Sequence, residues 1–121
     1  MKILRLGIFL VLVSAGFVFA QSWTVDSFTH ESVTVVELTS TSLTAATYKP
    51  SGNVPPTKRA VITVEDAHVR WRTDGTAPTQ TVGHLTQIDG VIILETLSDI
   101  INFRAFGLSS TSSTLHITYE R

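Results

Sequence analysis

The stretch TLHITYE, residues 114–120, decides how the rest of the chain is read. In an extended strand, successive side chains point to opposite faces. Leu115, Ile117 and Tyr119 then share one face, while Thr114, His116, Thr118 and Glu120 share the other. That is the pattern of an antiparallel strand with a packed side and a wet side. Working outward, residues 100–106 predict a preceding strand, joined to the last by the Gly/Ser/Thr loop 107–113. Residues 91–95 form another strand after the tight-turn signal Asp89-Gly90, and 84–88 a short extended segment before it. Residues 60–64 are a strand, and 68–72 are either its continuation after a kink or the next one. Residues 49–58 hold three of the four prolines and form a loop. Residues 41–48 are a weaker strand candidate. In 32–39, Val33 and Val35 share a face before the phase slips at Val36, which predicts a bulge.

Beyond residue 20, no run of ten residues has a 3.6-residue apolar period. Strands at about 8–12-residue spacing with turns between them predict an all-β protein, a single antiparallel β-sandwich of Ig-like or jelly-roll-like type. The 121 residues allow one domain. Residues 1–20 read as a secretory signal, or else as an apolar N-terminal helix. Lys2 and Arg5 supply the positive start, residues 6–17 the apolar run, and Val18 and Ala20 the small residues before a cut at Gln21. The expected organisation is therefore a leader over 1–20 and a β-sandwich domain over 21–121, exported to the periplasm or beyond. A membrane is met only through residues 1–20, if they stay uncleaved.

Removing the leader takes two of the nine basic residues and none of the ten acidic ones, leaving a net charge of −3. That balance offers no basic footprint for nucleic acid. The chain has no cysteine, so stability rests on packing, hydrogen bonding or assembly rather than on disulfides.

HVRWRTDGTAPTQTVGH, residues 68–84, is the densest candidate site. Alternation sends Val69 and Trp71 to one face, and His68, Arg70 and Arg72 to the other. One reading is wholly structural, with Trp71 in the core, the arginine stems along a solvated face and Asp74-Gly75 shaping a turn. The other makes Arg70, Trp71, Arg72, Asp74 and His84 a surface for a ligand or partner, because Arg and Trp concentrate at interface centres.

Catalytic signals are sparse. His30, His68, His84 and His116 lack local metal-ligand spacing, and convergence of the last three on zinc has no support from cysteine. No nucleophile elbow occurs, and Glu65, Asp66 and Glu95 are a carboxylate set only on paper. The expectation is a non-enzyme without cofactor or metal.

Taken together, AVITVEDAHVRWRTDGTAPTQTVGH, INFRAFG and TLHITYER resemble a family of small β-rich virion-associated proteins of tailed phages and their metagenomic relatives. The resemblance covers about residues 60–121, and the signal-like start departs from it. It implies a structural or accessory part of a virion that packs with copies of itself or with a larger protein, and it brings no functional residues. A different class of reading is an exported domain that binds a ligand such as a carbohydrate. Trp23, Trp71 or Tyr48 would be its stacking platform, beside Arg70, Arg72 or Asp74.

Overall fold

The computed structural model describes residues 26–52 and 54–121; the expected leader and Trp23 lie outside them. Eight strands and two short helices follow one another as β1 (Ser27–Val35), β2 (Ser40–Thr41), α1 (Ala45–Tyr48), β3 (Arg59–Glu65), β4 (Val69–Arg72), β5 (His84–Thr86), β6 (Val91–Leu94), α2 (Leu97–Asn102), β7 (Arg104–Gly107) and β8 (Ser113–Glu120). The described residues are mostly β, consistent with an all-β protein, with two four-stranded antiparallel sheets ordered β1-β8-β3-β6 and β2-β7-β4-β5.

In β8 the expected alternation is observed. Ser113, Leu115, Ile117 and Tyr119 are buried, and the alternating Thr114, His116, Thr118 and Glu120 are half-exposed. β8 lies between β1 and β3, so its ladder groups are paired on both edges. β3 inserts Ala60, Ile62 and Val64 into the interior with no exposure. Burying an Ile, Leu or Phe side chain contributes roughly 1.5–3 kcal/mol. Val69 and Ala105 from the second sheet, Ile100 from α2 and Phe103 beside it belong to the same buried cluster.

Residues 60–72, left open as one kinked strand or two, are two strands in different sheets. The chain changes sheet at Asp66, whose φ of 71° lies in the left-handed region. The segment 100–106 is not one strand. Thr96 accepts a hydrogen bond from the Asp99 amide and caps α2, so Ile100 and Ile101 are helical and only Arg104–Gly107 are extended. Ile100 is buried by this turn and Ile101 is exposed.

The weaker strand over 41–48 is also corrected. After β2 the chain coils into α1, where the Thr44 amide donates to the Glu31 carboxylate and Tyr48 is buried. The buried Thr57 hydroxyl donates to the Tyr48 carbonyl at 2.6 Å, which ties the proline-rich loop to α1. The slip at Val36 marks the end of β1 rather than a bulge within it; the register shifts instead between Ser27 and Thr29.

Candidate functional site

Of the five residues singled out in 68–84, the fold gathers most at one end of the second sheet. Trp71 and His84 stand opposite each other across β4 and β5. Their ring centroids are 4.8 Å apart, and the indole also lies 6.0 Å from Phe103 at an interplanar angle of 27°. The Trp71 Nε1–H donates to the Thr86 hydroxyl at 2.9 Å. The indole is thus partly buried against the core, with its polar atom satisfied.

Arg70 serves the loop that follows its own strand. Its Nε donates to the Gln80 carbonyl and its Nη1 to the Gly83 carbonyl, both at 2.9 Å. The loop folds closely onto β4 because position 83 is glycine. Its φ is 126°, and a Cβ there would lie 3.0 Å from Pro78 Cβ and 3.2 Å from the Trp71 carbonyl oxygen.

Arg72 is held by Asp74 through two nitrogen–oxygen contacts, Nε to Oδ1 at 3.0 Å and Nη2 to Oδ2. Asp74 Oδ1 also accepts from the Thr76 amide at 3.1 Å. The guanidinium bond, followed by the backbone bonds, holds the Asp74 carboxyl below its usual range. Arg72, Thr73, Asp74, Gly83 and His84 line an open depression of about 400 Å³. Arg72 and Asp74 thus neutralise one another at its rim, and Arg70 is committed to the loop.

A second polar cluster lies on the outer face of the first sheet, and it joins residues far apart in sequence. Ser32 of β1 stands across from His116 of β8, with Oγ 3.0 Å from Nδ1. On the other side of the same ring, Nε2 is 3.0 Å from Glu65 Oε2 at the end of β3. The His30 ring stacks on His116 at 5.7 Å. Glu65 is fixed by two neighbours. Its carbonyl accepts from the Ser113 hydroxyl, and the adjacent Asp66 carboxylate accepts from the Thr114 hydroxyl. Against an ionised carboxylate, Nε2 is the donor, which leaves the Nδ1 lone pair of a neutral imidazole facing the Ser32 hydroxyl. Sequence reading missed this cluster. The only available signal was the alternation that puts His116 on the wet face of its strand.

The His68–His84–His116 convergence does not form, because His84 and His116 lie in different sheets with different partners. Among the described residues, no group of three His, Asp or Glu side chains is placed to hold a metal ion. Buried beneath the first sheet, Tyr119 donates to the Glu31 carboxylate. Burial first, and that carboxylate second, push the phenol well above its ordinary value.

No family model, curated protein or solved structure matches the chain.

Proposed function

We propose that this protein is a non-enzymatic structural module, virion-associated, that acts by packing with copies of itself or with a larger protein. The resemblance of residues 60–121 to small virion proteins suggests the class, and one structural observation carries it. β6 is an end strand of its sheet, reads VIIL without charge or proline, and exposes Val91 and Ile93 to about half of their surface (56% and 47%). End strands of solitary proteins are usually blunted by charge, proline or a bulge, because open backbone groups recruit another strand. Val82, Leu85 and Ile88, just upstream, are exposed as well. The two sheets are taken as the layers of one β-sandwich of Ig-like or jelly-roll-like type, following a signal peptide or apolar segment over residues 1–20, in a protein that is exported or virion-associated.

Light scattering coupled to size-exclusion chromatography tests self-packing. A mass above one chain, reverting to one chain in Ile93→Lys, is the expected result. A wild-type protein that stays monomeric at every concentration and retains no larger protein overturns it.

An exported domain that binds a carbohydrate is the second reading, favoured by the open depression beside Arg72, Asp74 and His84. Its aromatic platform is reduced, since Tyr48 is buried and Trp71 is covered by His84 and Phe103. In a Trp23→Phe variant, Trp71 fluorescence that soluble quenchers reach and that responds to oligosaccharide would favour it. Fluorescence that is shielded and unresponsive would remove it.

A further inference from the structure

We propose that Ser32 is a base-assisted acyl acceptor, a modification site on the outer sheet face that takes an acyl group from activated esters or thioesters. Three side chains from three adjacent strands make it. Ser32 Oγ sits 3.0 Å from His116 Nδ1, and His116 Nε2 sits 3.0 Å from Glu65 Oε2. These are hydrogen-bond distances from nucleophile to base and from base to orienting acid, the geometric order that activates a hydroxyl. Glu65 selects the tautomer in which Nδ1 accepts, so the base faces the nucleophile rather than turning a proton toward it. Ring rotation is opposed from both ends and by the stacked His30. The reacting atoms are open to solvent, since Ser32 is exposed and His116 half-exposed.

The step balances without any further reactant. A bond forms between Ser32 Oγ and the acyl carbon, and the bond from that carbon to its alcohol or thiol breaks. The hydroxyl proton passes to His116 Nδ1 and then to the departing oxygen or sulfur. None of the three residues lines the depression at residues 72–84, and Ser32 stands exposed on the sheet face, so the donor reaches it from open solvent. The product is accordingly a lasting acyl-serine rather than rapid turnover, and the proposal goes beyond the packing role without depending on it.

p-Nitrophenyl acetate on the full chain at neutral pH, followed by peptide mapping, is the test. The expected product carries one acetyl group, on Ser32. Ser40, Ser42, Ser51 and Ser110, which are also exposed, serve as internal controls. Position-specific general-base help predicts labelling of Ser32 faster than these by roughly tenfold or more. Ser32→Ala removes the label, and His116→Gln slows it to the level of the controls. Glu65→Gln, whose amide allows the opposite tautomer, slows labelling by roughly tenfold. In the same variant, His116 ring nitrogen shifts move away from the Nε2–H form while the melting midpoint holds. Labels spread over the control serines overturn the proposal. So does an unchanged Ser32 rate in Glu65→Gln, even if His116→Gln fails to fold.

Discussion

The sheet of β1, β8, β3 and β6 and the sheet of β2, β7, β4 and β5 reach order by different routes. In the first, β1, β8 and β3 have nine, eight and seven residues, and alternating burial runs the length of β8. In the second, the strands have two, four, four and three residues. Too short to be fixed by ladder bonds alone, they are supplemented by side chains. Arg70 anchors the 73–83 loop, Trp71 bridges Phe103 and Thr86, and Asp74 closes the turn. The polar groups of the first sheet answer residues 51 and 84 positions away, whereas those of the second mostly answer their own loop. Long strands set the frame, and local side-chain bonds shape the short ones.

The largest effect is expected in the long-stranded sheet. Ile117→Ala empties a fully buried site flanked by β1 and β3, and should cost about 2–5 kcal/mol of global stability in a denaturant titration. A smaller loss would mean that the frame is not where the core energy resides.

Gly107→Ala comes next, because it strikes the junction of the two regions. A Cβ at 107 would lie 2.3 Å from the Val36 carbonyl oxygen, a backbone atom that no rotamer change moves aside. The expected cost is about 1–3 kcal/mol, with weakened amide protection at Leu38, which donates to the Gly107 carbonyl. Tyr119→Phe leaves the core shape but removes a donor from Glu31, and about 1–2 kcal/mol should be lost. The phenol's raised value has a defined sign. Its contribution is complete below the ordinary value of 10.0 and fades as pH rises beyond it, so the wild type should lose more stability in alkali than the Phe variant.

Arg70→Ala should cost about 1 kcal/mol, and hydrogen exchange should find the loss confined to 73–86. If the global midpoint falls as far as in Ile117→Ala, the contrast between frame and locally tied loop is broken. The smallest effect belongs to Asp74. Its lowered value means that the turn's stabilisation is present above the ordinary 3.8 and lost as pH falls through the depressed value. The Thr76 amide, bonded to Asp74, should shift in acid while core resonances stay in place.

Residues 114–120 and 60–64 announced their strands because an alternating or continuous apolar run of that length has few other ways to bury itself. Residues 100–102, read as the start of a strand over 100–106, misled because two adjacent isoleucines suit strand and helix alike, and the deciding signal was a single hydroxyl at Thr96. The same division holds for function. The sequence by itself determined that the chain is β-rich, that its last strand has a dry and a wet face, and that Asp74-Gly75 suits a turn. The pattern of side chains along one strand carries that information. Only the tertiary structure decided that Arg70, Arg72 and Asp74 satisfy one loop, and that Ser32 and Glu65 meet on either side of His116. Which strands become neighbours depends on where the chain changes sheet, and alternation within a strand says nothing about that.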